Sequence, residues 1–162
     1  MKNKTIAISG GFDPVHIGHL QMIQDAAQYG SVIVILNSDA WLEQKKGYVF
    51  MPFEERKAIL EAFSDVHHVI PVDDSDGTVC AALDQLRPCY FGNGGDRVSD
   101  NVPEVKFCKR YNIGLKWNLG GNKVQSSSTL VTHAKDYDYK DGDLKQHNDP
   151  ENPFRFEIGG EG

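Results

Sequence analysis

Short apolar runs alternate with amphipathic runs along most of the chain, and this alternation restricts the fold more than any other feature. The predicted strands cover 5–9, 31–36, 68–72, 89–92 and 113–119. Helical patterns cover 17–29, 52–63, 77–86 and 103–111, and a last helix is predicted to begin near Ser127 or Ser128. Strands joined by helical crossovers of this length form a parallel sheet with helices on both faces. The sequence therefore predicts an α/β domain built on such a sheet.

Polar segments, two of them with glycines, follow three of the predicted strands. They read SGGFDPVHIGH after the first strand, LNSD after the second and FGNGGDR after the fourth. In open parallel sheets, ligands bind outside the carboxyl ends of the strands, where the strand order reverses. We therefore expect these three segments to share one active site.

Composition excludes several classes of protein. The chain has 162 residues and a net charge of −6, so a general nucleic-acid-binding or anionic-membrane-binding surface is not expected. No apolar run approaches the length of a membrane span, and the apolar run at the start is too short for a signal peptide. The three cysteines, Cys80, Cys89 and Cys108, have neither metal nor disulfide spacing. These features predict a soluble cytoplasmic protein. The sequence after Ala134 is polar and mostly acidic, so a domain is predicted over 1–134 and a tail over 135–162.

The first polar segment has the chemistry of a phosphate site. Gly10 and Gly11 permit close approach of backbone N–H groups to an anion just before a helix begins. Asp13 can cap the turn. His16 and His19 are three residues apart, so both imidazoles can face the same side and donate hydrogen bonds to phosphate oxygens. A metal half-site is the alternative, but no further ligands stand at metal-binding spacing.

This segment and four others resemble the nucleotidyltransferase superfamily of cytidylyl- and adenylyltransferases. GGFDPVHIGH is similar to the family signature GxFDxxHxGH, and LNSDAWLEQKKG, PFEERKAILEAF, FGNGGDR and VQSSSTLV resemble its later motifs in the same order. The likeness is greatest to heptose-1-phosphate adenylyltransferases and glycerol-3-phosphate cytidylyltransferases. It implies a Rossmann-like fold and an enzyme that transfers AMP or CMP from ATP or CTP to a small phosphorylated acceptor, releasing pyrophosphate. It also implies a requirement for Mg²⁺ and assembly as a homo-oligomer.

The resemblance assigns roles to individual residues. His16 and His19 would stabilise the transition state, Lys46 would neutralise phosphate charge and Arg56 would clamp a phosphate. Without a ligand role, Lys46 would be a loop lysine and Arg56 an exposed helix arginine. The residues that would bind nucleotide are Gly10, Gly11, Phe12, Asp13, Gly18, Gly94, Asp96, Ser127, Ser128 and Thr129. Those that would bind the acceptor are Asp39 and Gly95, although Asp39 could equally cap the following segment.

Three departures from the family pattern keep other functions open. The place near Thr132 is not basic, although Lys123 could supply the charge, and Asn93 stands where heptose-type relatives have lysine. The Asp-Pro of FDPVH is shared with pantetheine-phosphate and mononucleotide adenylyltransferases, which is the alternative within the superfamily. A nucleotide-binding module without turnover is the alternative outside it, and it would retain nucleotide but release no pyrophosphate.

Overall fold

A computed structural model describes residues 3–94 and 102–136 of the chain. Eleven elements follow in order: β1 (Thr5–Gly10), α1 (Ile17–Ala26), β2 (Ser31–Leu36), α2 (Asp39–Lys46), α3 (Phe53–Glu61), β3 (Val66–Pro71), α4 (Cys80–Leu86), β4 (Tyr90–Gly94), α5 (Val102–Arg110), β5 (Gly114–Leu119) and α6 (Ser127–Asp136). The predicted α/β architecture is confirmed.

The five strands form one parallel sheet in the order β3-β2-β1-β4-β5. β1 pairs with β2 from Thr5 opposite Ser31 to Gly10 opposite Leu36, and with β4 from Ile6 opposite Tyr90. The chain builds outward from β1 to one edge and then returns to build the other half beyond β4. The strand order therefore reverses between β1 and β4, where a parallel sheet opens a crevice at its carboxyl ends.

Apolar side chains cover both faces of the sheet. One cluster joins alternate residues of β1 and β2 to α1 and α3, and its buried members include Ile6, Ile8, Val34, Ile23 and Leu60. The other joins the intervening strand residues to α4 and α5, and its buried members include Ala7, Ile35, Phe91, Leu83 and Cys108. The strands are apolar on both sides because neither side of the sheet faces water.

The sequence patterns missed one helix. No helix was predicted over Asp39–Lys46, yet α2 forms there, with Ser38 as its N-cap and Gly47 in the left-handed conformation at its end. Leu42 is the one buried residue of this helix, so it carries no apolar periodicity to detect. The alternative interpretation of Lys46, a loop lysine without a ligand role, is wrong about the loop, because Lys46 is the last residue of α2.

Other boundaries differ by one to three residues. α1 ends at Ala26 rather than Tyr29, and α4 begins at Cys80 rather than Gly77. The start of α4 is delayed because Asp76 accepts hydrogen bonds from the backbone and hydroxyl of Thr78 in a preceding turn.

The chain divides into two compact units, Met1–Leu130 and Val131–Gly162. All of the geometry below belongs to the first unit. Most of the tail predicted over 135–162 lies outside the described residues, so that division stays a prediction. None of the helices in the described ranges is long and apolar enough to cross a membrane.

Candidate functional site

Two histidines form the N-terminal cap of α1. His16 is the N-cap residue, and its Nδ1 accepts a hydrogen bond from the backbone N–H of Gly18 at 3.0 Å. The Nδ1 of His19 accepts the backbone N–H of His16 at 3.2 Å. Because Nδ1 is an acceptor in both rings, the proton of each neutral imidazole is on Nε2. The sequence pattern predicted both side chains on one side, and the capping geometry also fixes their tautomers.

Aromatic contacts hold the two imidazoles in place. Their rings stack with centroids 3.8 Å apart, and the Phe12 ring lies 4.7 Å from that of His19. Phe12 is buried and has a φ of 50°, a left-handed conformation that L side chains rarely adopt. The turn after β1 therefore keeps an unfavourable backbone angle that places an aromatic ring beneath the histidine pair.

The loop between β5 and α6 lies along α1, and hydrogen bonds attach it to α1 at one end and to the turn before α1 at the other. The backbone N–H of Gly120 donates to the carboxylate of Asp25 at 2.8 Å. At the other end, the hydroxyl of Ser127 donates to the carbonyl oxygen of Pro14 at 2.8 Å. These attachments bring the N-terminus of α6 beside the N-terminus of α1. Two sets of helix N–H groups, which favour anions, thus meet at the histidine pair.

Positive charge surrounds His16. Partial burial, then the charge of Lys123, then that of Lys46, lower the pKa of its imidazole from 6.5. Lys123 lies in the β5–α6 loop and Lys46 ends α2, so the two cations approach from different elements. His16 is therefore neutral at pH 7 and flanked by lysines. Such a cluster binds an anion with several negative charges.

Arg56 is fully buried, not exposed on its helix. Its Nε donates to the Met51 carbonyl at 2.8 Å, and its Nη1 donates to the Gly11 and Asn37 carbonyls, each at 2.9 Å. Its Nη2 forms an ion pair with Asp39 at 2.6 Å. These contacts join the ends of β1 and β2 to the start of α3. They give Arg56 a positioning role, and the predicted phosphate clamp stays a prediction.

Two buried carboxylates fix the surrounding loops. Asp13 accepts the backbone N–H groups of Phe50 and Met51, at 2.7 and 2.6 Å, so it holds the α2–α3 loop. Asp74 accepts the Asn37 amide and both the N–H and the hydroxyl of Ser38. Asp13 was predicted to cap the turn or to bind nucleotide, whereas no role was predicted for Asp74. The turn-rich sequence VDDSDG around Asp74 gave no sign of this long-range contact.

Glycine is required where other atoms approach closely. A Cβ on Gly11 would lie 2.7 Å from a methyl carbon of Leu42, and one on Gly18 would lie 2.9 Å from the His16 ring. A Cβ on Gly10 would lie 3.2 Å from the Phe12 ring, and one on Gly94 would lie 2.9 Å from the Met22 sulfur. These four glycines thus keep the strand ends and the first turn of α1 close to their neighbours.

The remaining predicted residues lie at the start of α6 or outside the described ranges. Ser127 and Ser128 are in the first turn of α6, and Thr129 donates its backbone N–H to the hydroxyl of Ser126 at 3.0 Å. Ser126, which the sequence analysis did not select, is therefore the capping residue. Gly95 and Asp96 lie outside the described residues, so their roles stay predictions.

Within residues 3–94 and 102–136, no group of three or more His, Cys, Asp or Glu side chains is placed to hold a metal ion. The cationic groups that surround His16 are suited to phosphate oxygens directly. The geometry thus brings two imidazoles, two helix N-termini and the charges of two lysines together at the switch point of a parallel α/β sheet.

The family follows from comparison with known proteins. The sequence model of the family described as Cytidylyltransferase-like matches residues 7–137. The chain belongs to this family, as the motifs predicted.

Two curated relatives and one solved structure show the range of the likeness. The bifunctional protein HldE of Syntrophotalea carbinolica is 34% identical over 105 residues, which cover 62% of this chain and 21% of that protein. The FAD synthase of Ferroglobus placidus is 26% identical, covering 60% of this chain and 62% of that protein. The structure of a lipopolysaccharide core biosynthesis protein from Thermoplasma volcanium superposes with a TM-score of 0.60 at 18% identity, over 72% of this chain and 94% of that one. The chain spans about a fifth of the length of three HldE proteins that it matches.

Proposed function

We propose that this enzyme transfers a nucleotidyl group from ATP or CTP to the phosphate of a sugar or polyol phosphate and releases pyrophosphate. The observation that carries this proposal is the arrangement around His16: two imidazoles with Nε2 donors and two helix N-termini lie together after β1, and the charges of two lysines act on His16. A triphosphate carries several charges within a short length, and this arrangement offers donors from several directions.

The chain's own residues bind and orient the reactants. The acceptor's phosphate oxygen forms a bond to the α-phosphorus while the bond from that phosphorus to the bridging oxygen breaks, and pyrophosphate leaves with the negative charge. No protein nucleophile is needed, so positioning and charge stabilisation lower the barrier. His16 and His19 donate from Nε2 to oxygens that gain charge during the transfer. Lys46 and Lys123 neutralise the phosphates from two different elements, α2 and the β5–α6 loop.

Lys123 replaces a basic residue that the chain lacks. The family's usual basic position corresponds to Thr132, whereas the charge of Lys123 already acts on His16. We assign the missing cation to Lys123 because the β5–α6 loop that carries it is attached to Asp25 of α1 and, through Ser127 at the start of α6, to Pro14 in the turn before α1.

Magnesium enters this proposal as part of the nucleotide substrate. Mg²⁺ retains several waters and binds phosphate oxygens readily, so the magnesium–triphosphate complex needs few protein ligands. It would lower the charge of the triphosphate, and the cations around His16 would neutralise the remainder.

The acceptor class distinguishes the first candidate from the second. Similarity to HldE, over the part of HldE that this chain spans, supports an acceptor of the sugar-phosphate type. Similarity to an FAD synthase over 62% of that protein's length favours, as the second candidate, a mononucleotide-type acceptor that receives AMP.

Pyrophosphate release tests both candidates. ATP and CTP, each with Mg²⁺, are offered with heptose 1-phosphate, glycerol 3-phosphate, flavin mononucleotide, nicotinamide mononucleotide and 4′-phosphopantetheine. We expect release with one sugar or polyol phosphate, and its loss in His19→Ala but not in the control His67→Ala, whose side chain lies exposed on edge strand β3. Release only with a mononucleotide or with 4′-phosphopantetheine would contradict the sugar-phosphate proposal. Retention of nucleotide without release from any pair would contradict turnover.

A further inference from the structure

A cleft separates α2 from the loop after β3, on the β2–β3 side of the histidine pair. Its volume is about 280 Å³, and we call it the Trp41 cleft after the aromatic residue in its wall. Its lining residues are Trp41, Gln44, Lys45, Ser75, Asp76 and Gly77. This volume is at the lower end of those found for small-molecule sites, so a compact ligand fits it better than an extended one.

The buried carboxylate of Asp74 fixes the two walls relative to each other. It accepts the Ser38 backbone N–H at 2.9 Å and the Ser38 hydroxyl at 2.6 Å. The same hydroxyl accepts the backbone N–H of Trp41 at 3.1 Å, so it caps α2. Because Asp74 directly precedes Ser75 and Asp76, one carboxylate sets the distance from the loop to the helix. The cleft is therefore preorganised.

The cleft adjoins the site of transfer through α2. The Trp41 ring lies 3.6 Å from the position a Cβ would take on Gly11, so the indole borders the turn after β1. The ammonium of Lys45 lies 4.8 Å from the centre of the Trp41 ring, whereas the charge of its neighbour Lys46 acts on His16. Consecutive helix residues point about 100° apart. The end of α2 thus directs one lysine to the cleft and the next to the histidines.

We propose that the Trp41 cleft binds the hydroxyl-bearing body of the acceptor while its phosphate lies beside Lys46. The proposal rests on the proposed function, since it requires an acceptor that joins a phosphate to a hydroxylated carbon skeleton. An indole face packs against the C–H groups of a sugar or polyol, whose hydroxyls remain at the edges. Gln44, Ser75 and Asp76 accept hydrogen bonds from hydroxyls, and Lys45 donates to them. This polar lining favours a hydroxylated ligand over a flat heteroaromatic ring.

Kinetics of two tryptophan variants test the cleft, because the chain has two tryptophans and the second lies on the far edge strand β5. For Trp41→Ala we expect the KM of heptose 1-phosphate or glycerol 3-phosphate to rise about tenfold, with kcat and the nucleotide KM changed less than about twofold. Trp41→Phe keeps an aromatic face and restores most of the affinity. Trp117→Ala is the matched control and leaves all three constants unchanged. Equal rises in the nucleotide and acceptor KM would mean that Trp41 only supports the Gly11 turn, which would overturn the proposal.

Fluorescence separates failure of the cleft from failure of the proposed function. Trp117→Phe leaves Trp41 as the single emitter, and Trp41→Phe leaves Trp117. We expect heptose 1-phosphate or glycerol 3-phosphate to change the emission of the first variant saturably, with no change in the second and none from inorganic phosphate. If the wild type releases no pyrophosphate but Trp41 still responds, the proposed function fails and the cleft stands. If neither sugar nor polyol phosphate changes the emission of Trp41, the cleft proposal is wrong whether or not turnover occurs.

Discussion

The Nη1 atom of Arg56 lies 2.9 Å from the carbonyl oxygen of Gly11, and this hydrogen bond ties the turn after β1 to helix α3. The same guanidinium also holds Asn37, Met51 and Asp39, so its donors are directed into the protein around the site. The conformation of the turn after β1 therefore depends on the buried charge of Arg56, about one helical turn into α3.

Arg56→Met removes this buried cation and is expected to lower the free energy of unfolding by about 3 kcal/mol, because three backbone carbonyls lose a charged donor. Urea denaturation measures the loss. Lys57→Met is the control, since Lys57 pairs with Glu61 on the exposed face of the same helix and its replacement should leave stability almost unchanged. A variant at Arg56 with wild-type stability and weakened nucleotide binding would instead support the phosphate clamp.

Two substitutions of His16 should distinguish its contribution to folding stability from its contribution to kcat. His16→Ala removes the α1 cap and is expected to cost about 1 kcal/mol together with a large loss of kcat. His16→Asn supplies a cap oxygen but no Nε2 donor, so it should recover the stability and remain about a hundredfold below the wild type in kcat. Thermal unfolding measures the stability of the two variants, and steady-state rates measure their kcat. Recovery of kcat in His16→Asn would show that His16 acts only as a cap.

Folding stability should depend on the titration of His16 with a definite sign. The pKa of this ring is below 6.5 in the folded protein, mainly because of burial, so the unfolded chain takes up its proton first as pH falls. The stability contributed by the neutral ring is complete above pH 6.5 and is lost as pH falls toward the folded-state pKa. Unfolding of the wild type and His16→Asn across this range measures the contribution. A wild type that becomes more stable relative to His16→Asn as pH falls would reverse the sign and contradict the lowered pKa.

Lys123→Ala should raise the pKa of His16 and leave it below 6.5, because burial, the largest cause, remains. Lys46→Ala should raise it less, since Lys46 is the smaller of the two charge effects. Titration of the His16 ring by NMR measures both shifts. The control Lys106→Ala, at an exposed position on α5, should not move the midpoint.

Both lysine variants should also weaken nucleotide binding, by about tenfold each, and the loss should shrink at high salt as the attraction is screened. Nucleotide KM at two salt concentrations provides the measurement. An unchanged KM in Lys123→Ala would mean that this residue does not replace the missing basic position near Thr132.

The sequence predicted the parts of the molecule that local patterns encode. The alternation of strands and helices predicted the parallel sheet. The GGFDPVHIGH segment predicted that the imidazoles of His16 and His19 lie on the same side. Helix α2 was not predicted, because Leu42 is its one buried residue and the sequence therefore shows no apolar periodicity there. Without this helix, the alternative interpretation of Lys46 was a loop lysine. Burial of Arg56 and the long-range contacts of Asp13 and Asp74 were not predictable, because a side chain's partners tens of residues away leave no periodic trace. The roles of Gly95 and Asp96, and the homo-oligomer, stay predictions.

Following the α-phosphate of the nucleotide tests the central claim most directly. The enzyme is given nucleotide labelled at the α-phosphate, Mg²⁺ and each acceptor, and the label is traced in the wild type and in His19→Ala. We predict that the label joins the acceptor in step with unlabelled pyrophosphate, and that both products fall together by about a hundredfold or more in the variant. Label recovered only as free nucleoside monophosphate, or no transfer while nucleotide remains bound, would contradict the account.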